Sequence, residues 1–187
     1  MLSNAKLLAQ FCAGDEASFE ALFLQHYQRI YSLLFRLLGD PAEAEDVTQQ
    51  VFLKFYHAAK ALQAGNDEVN VRGWLYRVAV NEGYNALRRQ KRQVTWQEKF
   101  VRLWFWAASP PDPAQVAESH DTQAQVRQIL AELKPREAKL LLLRHAGFSY
   151  QELAAALELA PTSVGPLLTQ AKRAFAQKYR RAFLGKE

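Results

Sequence analysis

The chain has a single cysteine in 187 residues, Cys12. One thiol excludes an internal disulfide and points to a reducing compartment, the cytoplasm. No run of about 18 apolar residues occurs, so no membrane span is expected. The opening MLSNAKLLAQFCAG is too broken by polar residues for the apolar core of a signal peptide. His26, His57, His120 and His145 are scattered, and no Cys/His cluster has metal-ligand spacing. There is no carboxylate cluster, nucleophile–base pair or phosphate-binding Gly loop. An enzyme is therefore not expected, nor a cofactor, a metal or a small-molecule substrate. Aspartate is missing altogether from residues 123–187.

What is present is basic charge, unevenly spread. The net charge is +5. Residues 1–92 hold 11 basic and 10 acidic side chains, residues 93–122 hold 2 and 4, and residues 123–187 hold 11 and 5. A basic C-terminal third suggests a polyanionic partner, although basic proteins without one exist.

Apolar periodicity is helical throughout. Phe19, Leu22, Phe23, Tyr27, Ile30, Leu34 and Leu37 recur at three and four over 18–38, and Gly39 is placed to end that helix as a left-handed cap. Asp40 as N-cap and Pro41 at the first position open a second helix, about 41–62. Its buried stripe is Val47, Val51, Phe55 and Ala58. Asp46, Gln49, Gln50 and Lys54 lie largely off that stripe, which by itself means only solvent exposure. A polar loop, 63–70, follows.

The most informative stretch is Val71 to Arg92, VRGWLYRVAVNEGYNALRRQKR. At helical spacing, Leu75, Val78, Ala79 and Ala86 share one side. Trp74, Arg77, Asn81, Tyr84, Asn85, Arg88 and Arg92 share the other. Aromatic faces stack on unpaired bases, amides read base edges and guanidiniums neutralise phosphate. A solvated amphipathic helix with a basic end would carry the same pattern. Glu82, on the apolar side, fits neither reading.

Residues 93–122 break the pattern. Thr95 to Ala107 holds Trp96, Trp104 and Trp106, and SPPDPAQ then stops any helix. The stretch reads as an interdomain linker with an aromatic helical insert, either docked on a core or offered to a partner or a membrane surface. Beyond it, helices are expected over about 122–133 and from Pro135 to about 145. Ser149 and Glu152 form a capping box for another over 150–158. The turn LAPTS leads into a last helix, with Ser163 as N-cap and Val164 as its start. The spacing of Leu153, Ala154, Leu157, Leu159, Val164 and Leu167 fits a helix-turn-helix, or a plain helical hairpin.

Three segments together resemble the bacterial RNA polymerase sigma factors of the extracytoplasmic-function class (group 4 of the sigma-70 family). AEDVTQQVFLKFY at 44–56 is similar to the core-binding helix, and WLYRVAVNEGYNALRR at 74–89 to the helix that melts and reads the −10 element. The run LKPREAKLLLLRHAGFSYQELAAALELAPTSVGPLLTQAKRAF is similar to the −35 recognition domain. The resemblance implies an all-α fold of two small helical domains joined by a linker, the C-terminal one a helix-turn-helix. The expected limits are 1–92, a linker 93–122, and 123–187.

The resemblance further implies a transcription initiation factor with core RNA polymerase and promoter DNA as partners, and an anti-sigma factor as regulator. The aromatic insert at 96–106 is a candidate contact for that regulator. Asp46, Gln49, Gln50 and Phe52 would dock on core polymerase. Asn66, in the loop that helps trap a flipped base, would join Trp74, Arg77, Asn81, Asn85, Arg88, Arg89 and Arg92 on the −10 strand. Arg136, Arg144, Thr162, Ser163, Thr169, Gln170, Lys172 and Arg173 would contact −35 DNA. Opening a duplex costs roughly 1.4 kcal/mol per stacked step. Stacking a freed base on protein returns about 1–3 kcal/mol. Family members often carry Asp where Asn85 stands, a basic residue near Gly165-Pro166-Leu167, and Gly where Glu158 stands. Without the resemblance, a stand-alone helix-turn-helix regulator is the competing reading.

Overall fold

Capping chemistry sets most helix boundaries. The structure, a computed structural model, describes residues 3–65, 69–104 and 118–184, with side chains excluded at 93–104 and 118–121. Among the described residues there are eight helices and no strand: α1 (Asn4–Cys12), α2 (Glu16–Leu38), α3 (Pro41–Gly65), α4 (Val71–Trp104), α5 (Glu118–Glu132), α6 (Pro135–His145), α7 (Tyr150–Leu157) and α8 (Pro161–Phe183). Gly39 ends α2 in the left-handed region, φ 77°. The Asp40 carboxylate accepts the Glu43 amide at 2.7 Å at the start of α3. At α7, the Ser149 hydroxyl accepts the Glu152 amide while the Glu152 carboxylate accepts the Ser149 amide at 2.7 Å.

Several boundaries differ from expectation: α3 runs on to Gly65, into the expected loop 63–70, and α5 begins at Glu118, inside the expected linker 93–122. Helix α1 was not foreseen. Ser3 caps it, and Leu7, Leu8 and Phe11 bury its inner face. Helix α4 continues past residue 92 as far as Trp104, so the helical insert extends α4 up to that point. Helix α8 starts at Pro161, with Ala160 in the extended N-cap conformation, and not at Val164. The N1 proline supplies a preset helical φ. Ser163 is therefore inside the first turn and is not the N-cap. Pro166 lies inside the helix, where it cannot bond the Thr162 carbonyl four residues back.

Helices α1 to α4 form one bundle and α5 to α8 a second. In the first bundle α4 crosses α2 closely at Gly83, where a Cβ would stand 2.6 Å from a Leu34 methyl and 2.9 Å from a Leu37 methyl. Trp74 packs on Phe55 of α3 at 5.5 Å. The buried His26 of α2 accepts a hydrogen bond from the Asn4 side-chain amide at 3.1 Å, tying down α1. Burial, with Arg29 and Arg72 nearby, pushes the His26 pKa down and favours the neutral ring. Glu82, unexplained by pattern, pairs with Lys54 of α3 at 2.6 Å.

The opposite side of α4 is also covered. Helices α5, α6 and α7 pack on it, and the buried apolar residues of both bundles form one continuous core. Tyr76 meets Phe148 of the α6–α7 turn at 5.1 Å. Tyr84 is 1% exposed, and its hydroxyl donates to the Leu133 carbonyl at 2.7 Å. The surface stripe expected on α4 is thus corrected at Tyr84, whose ring joins the two bundles.

Tyr84→Phe keeps the ring and leaves the Leu133 carbonyl without this donor. Urea denaturation is expected to show a loss of about 1–3 kcal/mol in unfolding free energy. A change below about 0.5 kcal/mol would mean that the carbonyl is hydrated and the bundles are loosely joined.

Candidate polymerase and nucleic-acid interface

The two expected surfaces lie on α3 and α4 of the first bundle, and the third on the helix-turn-helix. On α3, Asp46, Gln49 and Gln50 are exposed and fall on one helical stripe. Gln49 donates to Glu45 at 3.1 Å. Glu45 in turn accepts the Tyr27 hydroxyl from α2. That hydrogen bond, with burial and the carboxylate charge, pushes the Tyr27 phenol up to about 12. The fourth expected residue is corrected. Phe52 is 3% exposed, wedged against Phe23 at 4.7 Å and Tyr27. It supports the patch from beneath. Leu53, at 58% exposure, occupies the stripe with Asp46 and Gln50, and Leu24 on α2 is 67% exposed. Both were missed, because a pattern reading sends leucines inward by default. The off-stripe position of Leu53 was the available signal.

On α4 the expected contacts separate into three groups. Asn85, Arg88, Arg89 and Arg92 are exposed on the basic end. Trp74 and Asn81 are half-buried. Arg77 is engaged, with its guanidinium 3.1 Å from Glu158 of the α7–α8 turn. Asn66 lies outside the described residues, as does Trp106 of the aromatic insert.

Two other cations of α4 do the same thing. Arg72 reaches Glu152 at 3.3 Å, the Ala146 carbonyl at 3.5 Å and the Phe148 ring at 4.8 Å. Lys91 reaches Glu132 at 2.8 Å. Three cations of α4 therefore face three carboxylates of the second bundle. Each partly exposed pair is worth no more than about 1 kcal/mol. The buried Tyr76 and Tyr84 hold the bundles together, and the ion pairs set their register.

Glu158 has a backbone cost. Its φ is 54°, and it is the only non-glycine residue with positive φ among those described. A side chain in that region costs roughly 1–2 kcal/mol. Glycine would remove the cost, and it would also remove the carboxylate that meets Arg77.

In the helix-turn-helix, Thr162, Pro166, Thr169 and Arg173 fall in one stripe of α8, and all four are exposed. The Thr169 hydroxyl donates back to the Gly165 carbonyl at 3.0 Å. Gln170 is exposed beside this stripe and Ser163 is half-buried. Lys172 turns to another side, onto a groove between the bundles. Arg136 is exposed at the start of α6. Arg144 is occupied in holding the α6–α7 turn, donating to the Phe148 carbonyl at 2.7 Å and lying over the Tyr150 ring at 5.5 Å. Among the described residues no group of His, Cys, Asp and Glu has the arrangement of a metal site.

Comparison with known proteins agrees with this division. Residues 22–93 match the family model for sigma-70 region 2, and residues 123–175 match that for sigma-70 region 4. The RNA polymerase sigma factor YlaC of Bacillus subtilis is 31% identical over 157 residues, which cover 83% of this chain and 88% of YlaC. The ECF RNA polymerase sigma factor SigE of Mycolicibacterium smegmatis is 32% identical over 150 residues, 77% of this chain. The match spans 56% of the length of SigE. Among solved structures, CnrH in complex with the cytosolic domain of CnrY superposes with a TM-score of 0.67 at 19% identity, covering 96% of this chain and 98% of CnrH. That likeness concerns the fold.

The Glu152 carboxylate bears on stability as a function of pH. Its bond to the Ser149 amide, then the Ser149 hydroxyl and Arg72, lowers its pKa from the ordinary value of 4.5. A lowered folded-state pKa gives stability that is present above the unfolded value and lost as pH falls through the folded one. Glu152→Gln is expected to lower the melting temperature at pH 7. The melting temperatures of the two proteins should converge as pH falls below 4.5. A gap that does not narrow at all as the pH is lowered would show that charge on Glu152 is not what holds the turn.

Proposed function

This chain belongs to the sigma-70 family of RNA polymerase sigma factors, in its extracytoplasmic-function class, and from that premise we propose that it is a transcription initiation factor that directs core RNA polymerase to promoters. The observation that carries the reading is the presence of region 2 and region 4 in one chain, in that order. Either module alone is compatible with a simple DNA-binding regulator. Together they give a polymerase-binding surface and two promoter-reading elements.

In this reading Asp46, Gln49, Gln50 and Leu53 form the face of α3 that docks on core polymerase. Phe52 keeps the backbone of that face in place. Trp74, Asn81, Asn85 and Arg88 track the opened −10 strand, with Arg89 and Arg92 neutralising phosphate. Thr162, Thr169 and Arg173 face the −35 duplex, and Gln170 lies at the margin of that surface. Promoter opening gains only from contacts made better to the open strand than to the duplex. No helix among the described residues is long and apolar enough to cross a membrane, and we place the protein in the cytoplasm with the transcription machinery. The sigma factor RpoE of Bartonella quintana was solved in complex with the anti-sigma factor NepR, and an anti-sigma partner fits this chain.

The reading requires the two bundles to separate. The −10 and −35 elements are centred roughly 25 base pairs apart, about 85 Å of duplex. A globule of this length has a radius of gyration of about 16 Å. With α7 packed on α4 the two reading surfaces cannot reach both elements. The packed arrangement is therefore a resting state, and it sequesters Arg77.

The direct test mixes the purified chain with bacterial core polymerase and follows co-elution by gel filtration. Asp46→Ala with Gln50→Ala should weaken the complex roughly five- to thirtyfold, the range of an interface hot spot, with helicity unchanged. Unchanged affinity would count against this docking face. No complex with the unaltered chain would favour a stand-alone DNA-binding regulator.

A further inference from the structure

Between the two bundles, away from the ion pairs, lies a cavity of about 750 Å³. Its apolar floor comes from both sides. Leu33 and Leu37 are contributed by α2, Val126 and Leu130 by α5, Leu141 by α6 and Phe175 by α8. Its rim carries Arg29 and Arg36 of α2, His145 of α6 and Lys172 of α8. Among the described residues no acidic side chain lines it. The other polar groups on the wall are uncharged, Gln28, Ser32, Thr122 and Gln123. The transcription role uses none of this surface except Lys172.

We propose that this groove is a regulatory binding site for a single-chain amphiphile with an anionic head, a medium-chain fatty acid being its simplest form. The size falls within the range of small-molecule sites, about 300–1,000 Å³. An apolar floor accepts an acyl chain and rejects polar metabolites of the same size. The charged groups described on the rim, two guanidiniums and an ammonium, favour an anionic head group. The ligand would be an effector, bound and not transformed.

The placement gives the ligand a consequence. Both bundles contribute to the floor, α2 on one side and α5, α6 and α8 on the other, so the complete site exists only while the bundles are packed together. A ligand that binds one of two states shifts the population toward it. Occupancy would hold the protein in its resting arrangement and oppose engagement of polymerase and promoter. This consequence rests on the initiation-factor reading; the binding itself does not.

The test uses the full chain with dodecanoate below its micellar concentration, and titration calorimetry with thermal unfolding as readouts. The expected result is saturable binding of one equivalent, a raised melting temperature, and much weaker binding of the uncharged dodecyl maltoside. Leu141→Trp, which fills the floor from a half-buried position, should abolish binding with helicity unchanged. Arg36→Ala, on the exposed rim, should weaken it roughly two- to fivefold, the range for a screened ion pair. Several equivalents, indifference to Leu141→Trp, or equal binding of the neutral detergent would overturn the proposal. So would binding of a synthetic acidic amphipathic helix, blocked by Leu141→Trp, in the absence of dodecanoate binding; the groove would then belong to a protein partner. The arms without polymerase or DNA separate the two readings. Dodecanoate binding by a chain that never engages polymerase leaves the site standing and removes the initiation role.

Discussion

Helix α4 is packed on two sides, and the arrangement of the molecule follows from that constraint. On one side Gly83 lets it settle against Leu34 and Leu37, with Trp74 on Phe55. On the other, Tyr76 and Tyr84 enter the second bundle, and the Tyr84 hydroxyl satisfies a buried carbonyl. A helix with two buried faces has little surface left. What remains on α4 is a narrow band holding Asn81, Asn85 and Arg88, with Arg89 and Arg92 toward its end. The surface that would read nucleic acid is what the packing leaves over.

The same double burial explains which features were legible in the sequence. Gly39, Asp40-Pro41, Pro135, Gly147 and the Ser149–Glu152 box act within a few residues, and their boundaries are found where local chemistry puts them. The two-domain helical class followed from periodicity together with the family resemblance. Tyr84 was misplaced because a single amphipathic pattern specifies one buried face. A second face, covered by residues 49 positions away, has no local mark. Phe52 was misplaced for a related reason. The core-binding segment was matched as a block, and its aromatic turned out to pack under the surface, against Phe23 and Tyr27 of α2.

Glu82 and Glu158 illustrate the limits of pattern differently. Glu82 looked like an error on an apolar side until Lys54 of α3 was placed beside it. Glu158 looked like a departure from a glycine position. The backbone there does adopt the left-handed conformation that favours glycine, and the carboxylate meets Arg77 across the domain boundary. Helix α8 gives the opposite case. Its oddity, Gly165-Pro166, was visible in the sequence, but its start was displaced by three residues because Pro161 initiates more strongly than Ser163 caps.

The carboxylates of Glu132, Glu152 and Glu158 pair with Lys91, Arg72 and Arg77, the last of which the proposed function would send to phosphate. The second bundle is, electrically, a weak internal stand-in for a nucleic-acid strand. Added salt screens these pairs and the attraction of DNA in the same direction. In the proposed reading a cation of α4 reaches phosphate only by first leaving a carboxylate, and salt weakens the contact it leaves as well as the one it forms, so ionic strength acts on the packed and the DNA-bound arrangements together.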